Sequence, residues 1–311
     1  DVPGKRFLTL AAILPIISPP FVSALSIILL FGNNGLITRQ LLGLQEFAIY
    51  GLRGLLLAQV LTFFPAAYLT LRDLVELLPA CGFDAVEFRC EAHQKHGVEL
   101  EAPAEERRRI KAWLDGVGLA VSCLSTSQRF ESPDPQERAK VIARVKRYID
   151  LAHDLGCLGV RTFGNDFPPG VPKEDVVRYV GEALRACGEH AEGSGVNVLL
   201  EMHGEFYYWE YALGAVKIAD HPHVWINYNS DPRDLVDGSV VYTFGQVQEY
   251  VRHVHLHEFE VPGFPYKELF GLLKAMDYPY YLSLEETYHE GGEKKVIALY
   301  AALYRELMAQ V

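Results

Sequence analysis

The sequence from Leu69 to Val311 predicts an α/β fold of the (β/α)8 barrel type, and three observations point to it. Short β-rich runs recur at spacings of 27 to 39 residues, the length of one β/α unit. Stretches of helical periodicity lie between them. Runs such as Asn197-Val-Leu-Leu200 are apolar on both faces, as strands of a parallel sheet covered by helices are.

The runs begin at Gly82 (GFDAVEF), Gly118 (GLAVSCL), Cys157 (CLGVRTF), Val196 (VNVLLEM), Val224 (VWINYN), Val251 (VRHVHLH) and Tyr280 (YYLSLEE). Helices are predicted over Glu105–Leu114, Pro135–Leu155, Lys173–Glu192 and Lys267–Met276. Asp134-Pro135 supplies a capping carboxylate followed by a proline at the first helical position, where its missing N–H costs nothing. A further helix starts at Thr70, which serves as its N-cap, but no ordinary strand precedes it. The barrel is therefore expected to lack its native first strand. Either 56–65 (LLLAQVLTFF) acts as a surrogate, or the barrel stays open with an unpaired edge.

What precedes Leu69 is a different kind of sequence. The 50% hydrophobic content and mean hydropathy of +0.05 trace largely to two uncharged runs, Phe7–Thr38 and Gly54–Leu71. Both are long enough to be candidate membrane helices. Residues 1–68 carry a net charge of +2, against −13 for the remainder, so two domains are expected, 1–68 and 69–311. A signal peptide ending near Ala24 is a weaker reading, because the apolar run continues through Leu30; a buried soluble hairpin is the plain alternative. Lys5-Arg6 and Arg72 would put both ends of a two-span segment on the cytoplasmic side, which implies a cytoplasmic, membrane-tethered barrel. The wording PIISPPFVSALSIILLFGNNGLITRQLLGL, then IYGLRGLLLAQVLTFFPAAYLTL, resembles part of an iron-type, binding-protein-dependent ABC transporter permease. The later spans and the coupling helix of such a permease are missing, so transport by this chain is not expected. The abrupt change at YLTLRD suggests a chimeric junction, as a gene fusion or an assembly error would leave.

The overall charge of −11 argues against a nucleic-acid partner, whose phosphates require a surplus of Lys and Arg. Cys81, Cys90, Cys123, Cys157 and Cys187 form no C-x-x-C pair and no even framework, and are read as reduced, mostly buried thiols. Nucleotide-binding glycine loops are absent.

In a barrel of this type, functional groups gather at the C-terminal strand ends. The last four ends offer Glu201, Asn229, His255 and Glu285, separated by 28, 26 and 30 residues, one from each successive unit. Two carboxylates, an imidazole and an amide carbonyl suit Mn2+, Mg2+ or Co2+, and the lack of a thiolate disfavours a structural zinc site.

The strands VLLEMHGE, HVHLHE and YLSLEE, with GFDAVEFR earlier, resemble those of the xylose isomerase-like barrels, the sugar phosphate isomerase/epimerase group, over the whole of 69–311. That resemblance implies one divalent metal held by Glu201, position 229, His255 and Glu285. The family's aspartate is Asn229 here, which removes a negative charge; Asp231 is a possible substitute. Of the paired histidines, His255 is taken as the ligand and His253 as packed within the strand. The implied reaction is isomerisation or epimerisation of a sugar or sugar phosphate through an enediolate, with Glu201 and Glu285 as the catalytic acid and base.

Candidate substrate contacts are His203, Arg161, His257, Arg89 and His96, with Glu258 behind the ligands. Two rival readings stand beside this one: a metal-dependent phosphodiesterase resembling the AP endonucleases of the same barrel group, and an inert, membrane-anchored relic. A homo-oligomer is compatible with either enzyme.

Overall fold

A computed structural model of the chain describes residues 29–32, 34–43, 75–91, 98–257, 259, 263–285 and 292–311. Contacts divide the chain into two units, Asp1–Leu77 and Leu78–Val311.

In the first unit, residues 29–31 are helical and Leu36–Leu41 form a π-helix. Between them the chain turns: Gly35 N–H donates to Gly32 O at 2.7 Å, and Thr38 Oγ1 donates to the same carbonyl at 2.5 Å. A Cβ at Gly35 would stand 2.4 Å from Leu30 O, so the turn requires glycine. The described end of the Phe7–Thr38 run is thus not one continuous helix. Among the described residues no helix is long and apolar enough to cross a membrane. The rest of that run, the whole of 54–71, the surrogate strand 56–65 and most of the permease-like wording lie outside the described residues.

In the second unit all seven expected strands form: β1 (Ala85–Arg89), β2 (Ala120–Arg129), β3 (Gly159–Phe163), β4 (Asn197–Glu201), β5 (Val224–Asn229), β6 (Val251–Leu256) and β7 (Leu282–Leu284). They pair in parallel in sequence order. Four of the predicted helices appear as α1 (Ala104–Val117), α2 (Pro135–Leu155), α3 (Lys173–Ala191) and α6 (Tyr266–Ala275), and the helix expected from Thr70 is seen over 75–81, its start lying outside the described residues. Sequence periodicity had not singled out α4 (Trp209–Ala219), α5 (Val241–Val247) or α7 (Glu293–Ala309). The Asp134 carboxylate caps α2 by accepting from Gln136 N–H at 2.8 Å, and Gly156, at φ 66°, closes that helix in the left-handed region.

Side-chain alternation explains why so apolar a set of strands can carry a polar site. Val160, Val198, Leu200, Ile226, Tyr228 and Val254 are buried on the helix-facing side of the sheet. Arg161, Glu201, Asn227, Asn229, His253 and His255 occupy the opposite parity and meet inside the barrel. The sheet curls round far enough for Glu87 of β1 to reach His253 and His255 of β6, both at 2.9 Å.

Among the described residues no strand joins β1 to β7, and 56–65, the segment expected to act as a surrogate, lies outside them. In a ring of eight the remaining strand would stand between these two edges. A cavity of about 910 Å3 lies there, lined by residues of β1, β7, α6 and α7. All five cysteines are free thiols, four of them buried, and burial pushes Cys90 and Cys157 up to about 12.

Candidate active site at the strand ends

Glu201 is the last residue of β4, Asn229 the last of β5, His255 the last but one of β6, and Glu285 directly follows β7. Register holds them level: Asn229 pairs with His255, and Glu285 N–H donates to Leu256 O at 2.8 Å. Single ligand atoms of Glu201, His255 and Glu285 lie within 4.8 Å of one another. His255 Nδ1 is 3.2 Å from Glu285 Oε2 and 3.7 Å from Glu201 Oε1.

Asn229 joins the group through its other end. Its Nδ2 donates to Glu201 Oε1 at 3.0 Å, and its Oδ1 accepts from His257 Nε2 at 2.6 Å. A half-turn of the amide exchanges these roles and aims Oδ1 at the carboxylates. Asp231 is not brought in. Its carboxylate caps Arg233 N–H at 2.9 Å and receives Arg233 Nη2 at 2.6 Å, so it is committed to its own loop.

The substrate candidates divide by position. Arg161 lies inside β3, two residues short of its end; Nη1 is 2.8 Å from Glu201 Oε2, and the guanidinium stacks 4.2 Å above Phe163. His203 is exposed at the mouth, its Nδ1 2.8 Å from Asn165 Oδ1. Asn165 itself holds a φ of 55°, an uncommon conformation for a side-chain-bearing residue and one found at functional loops. His257 sits beside Asn229, and Arg89 reaches Glu285 Oε1 at 3.4 Å. His96 and Glu258 lie outside the described residues.

One layer deeper is a polar group that sequence reasoning did not select. Glu87 receives Ser125 Oγ–H and places an oxygen 2.9 Å from Nε2 of each of His253 and His255. His253 is buried in its strand, as expected, and meets Ser283 Oγ at 3.0 Å. Cys123 completes a second group of donor atoms with Glu87 and His253. A signal was present in the sequence: Glu87 is an acid flanked by Ala85-Val86 and Phe88, and alternation in HVHLH puts 253, 255 and 257 on one face.

Electrostatics bind the two layers together. Burial opposes charge on His255, but Glu87 and Glu201 outweigh it and hold the imidazole well above its usual pKa. Burial likewise pushes Glu201 up, yet Arg161 and His255 prevail and its pKa is lowered. The hydrogen bond from His255 is the main reason Glu285 falls to about 2. Both carboxylates are therefore ionised at neutral pH. Buried Glu201 Oε2, Arg161 Nε and Asn227 Oδ1 have no hydrogen-bond partner, although Oε2 remains ion-paired to Arg161. Two facing carboxylates, a ring nitrogen and under-used buried polar atoms fit a divalent cation with oxygen and nitrogen ligands.

Comparison with known proteins agrees with this architecture. The D-psicose 3-epimerase of Clostridium cellulolyticum H10, solved with D-tagatose, matches at a TM-score of 0.62 and 18% identity, over 75% of this chain and 92% of that one. The 3-keto-D-glucoside 4-epimerase of E. coli matches at 0.60 and 16%, over 74% and 94%. A probable 3-DHS dehydratase from Bacillus anthracis matches at 0.59 and 19%, over 75% and 93%. At these identities the likeness is one of fold. The family model described as xylose isomerase-like TIM barrel matches residues 75–306, well over half of the sequence. The chain belongs to the xylose isomerase-like TIM barrel family.

Proposed function

We propose that the barrel is a divalent-metal-dependent sugar or sugar phosphate isomerase or epimerase. The observation that carries this reading is the convergence of Glu201, His255 and Glu285 at the strand ends, with Asn229 hydrogen-bonded to the same carboxylate. The epimerases among the structural neighbours support it.

Glu201, His255, Glu285 and, after rotation of its amide, Asn229 would hold Mn2+, Mg2+ or Co2+. The ion would polarise a substrate carbonyl and stabilise the enediolate as a Lewis acid. The chain supplies the proton chemistry: one of Glu201 and Glu285 takes the proton beside the carbonyl and, now protonated, returns it to the neighbouring carbon; delivery to the opposite face requires the other carboxylate first to take up a proton from solvent. Arg161 keeps Glu201 ionised and fixed. His203, His257 and Arg89 would meet hydroxyls or a phosphate of the substrate.

The test is metal content of the full chain after removal of chelators, beside its Glu201→Gln variant, followed by exchange of substrate hydrogen with D2O. About one bound Mn2+, Mg2+ or Co2+, lost in the variant, with exchange on a ketose or aldose, supports the assignment. Absence of metal even in excess would favour the inert relic, and retention of DNA at low salt would favour the phosphodiesterase.

A further inference from the structure

Glu87 spans two histidines with one carboxylate, and its position is built rather than incidental. The β1–β2 register shifts between Val86 and Glu87, and the β5–β6 register shifts between Ile226 and Asn227, the residue that pairs with His253. The extra residue is Ser122 of β2 in the first and Arg252 of β6 in the second. Shifts of this kind change what stands level with what: here Glu87 is level with Cys123, and His253 with Asn227. Ser125 Oγ donates to Glu87 Oε1, and Asn227 Nδ2 lies 3.2 to 3.3 Å from both ring nitrogens of His255.

A carboxylate accepts, so each imidazole must present an N–H to it. Glu87 Oε1 therefore requires a hydrogen on Nε2 of His255, at 2.9 Å. The nitrogen facing Glu201 and Glu285 is Nδ1; the hydrogen it donates to Glu285 in the metal-free chain would be released when an ion binds. We propose that Glu87 is a positioning residue: it fixes the ring and tautomer of His255 so that Nδ1, and not Nε2, is the metal-binding atom. This inference rests on the metal reading given above. His253 takes part only as the second anchor, its Nε2 holding Glu87 Oε2 so that the carboxylate cannot rotate away. The hydrogen bonds already engaging both oxygens of Glu87 argue against Glu87, Cys123 and His253 holding a cation themselves.

The experiment uses the full chain. Mn2+ affinity is measured for the unmodified protein, Glu201→Gln, Glu87→Gln and Glu87→Ala. Glu201→Gln should lose binding. Glu87→Ala should weaken it about 10- to 100-fold, the usual cost of losing a carboxylate behind a ligating histidine. Glu87→Gln, which keeps an oxygen to accept from Nε2–H, should fall between Ala and the unmodified chain; a residue that merely supports the fold would show no such rescue. Nitrogen-15 spectra of the unmodified, Mg2+-loaded chain read the tautomer directly and do not depend on any variant folding. They should show His255 with Nε2 protonated and Nδ1 bound.

Mn2+ affinity unchanged in both Glu87 variants, or Nε2 as the bound atom, would overturn this inference while leaving the metal site intact. A Co2+-loaded chain with a thiolate charge-transfer band abolished by Cys123→Ser would overturn it differently, by making the deeper layer the ion's site. No Mn2+ binding by the unmodified chain would remove the metal reading and this inference together.

Discussion

Arg161 and Glu201 form an ion pair that solvent does not reach: Nη1 and Oε2 are 2.8 Å apart, with side chains 3% and 1% exposed. The two residues stand on adjacent strands, where Arg161 pairs with Leu199 and Phe163 with Glu201. A pair in this position is weak evidence for net stability, because both charges have been taken out of water. Removing one partner is a different matter. Arg161→Met should strip the buried carboxylate of its nearest cation, leaving Oε2 without a partner, and cost about 3 to 5 kcal/mol, read by urea unfolding at pH 7. The loss should shrink in Arg161→Met/Glu201→Gln, where no buried charge is stranded; an equal loss in the double variant would show that packing, not charge, is responsible.

Asn229 offers a direct test of charge at the cluster. Its Nδ2 donates to Glu201 Oε1 at 3.0 Å, so Asn229→Asp replaces an attractive contact with two carboxylates side by side. The metal-free variant should melt below the unmodified chain, because like charges at such a distance cannot both ionise cheaply. Added Mn2+ should reverse the order, with affinity about tenfold tighter from the extra ligand charge and a correspondingly larger rise in Tm. A rise in Tm no larger than that of the unmodified chain would place the ion elsewhere.

Asp234 gives a pH dependence away from the candidate active site. Burial pushes its carboxyl up to about 6, against the hydrogen bonds from Tyr228 and Thr243. The unfolded value of 3.8 is lower, so the folded chain holds this proton more tightly. That contribution to stability is fully present below pH 3.8 and is lost as pH rises through about 6. Asp234→Asn, which keeps an acceptor for Tyr228 O–H, should therefore be more stable than the unmodified chain at pH 8, by on the order of 3 kcal/mol. The gain should vanish near pH 4, and urea titrations at the two pH values measure it.

Glu285 behaves in the opposite sense. His255 holds its carboxyl at about 2, below the unfolded value of 4.5. The stabilising contribution is present above pH 4.5 and is lost as pH falls toward 2. Glu285→Gln should be less stable than the unmodified chain at pH 6, and the difference should close on acidification. A difference that persists at pH 2.5 would mean that the His255 contact does not govern this carboxyl.

Much of this protein is written along the chain in forms that local physics can read. Alternation and length mark the seven strands, because a strand buried under helices needs apolar side chains on its outer face. Asp134-Pro135 and Gly156 mark the two ends of α2, because helix termini leave backbone groups that only certain residues satisfy. Short helices with mixed faces, such as α5, carry no such periodic signal. Unit spacing was also enough to bring Glu201, Asn229, His255 and Glu285 to the same end of the barrel, since each closes or directly follows a successive strand.

Tertiary structure alone decided how those groups face one another. Asp231 is two residues from Asn229 and could have served in its place, but its carboxylate is taken by Arg233. Glu87 precedes His255 by 168 positions, and no local pattern records that its carboxylate lies under that ring. Residues that far apart meet only because the sheet curls until β1 faces β6. Strand identity follows from periodic burial, a local property of the sequence; partnership inside the barrel follows from closure, which is a property of the whole ring.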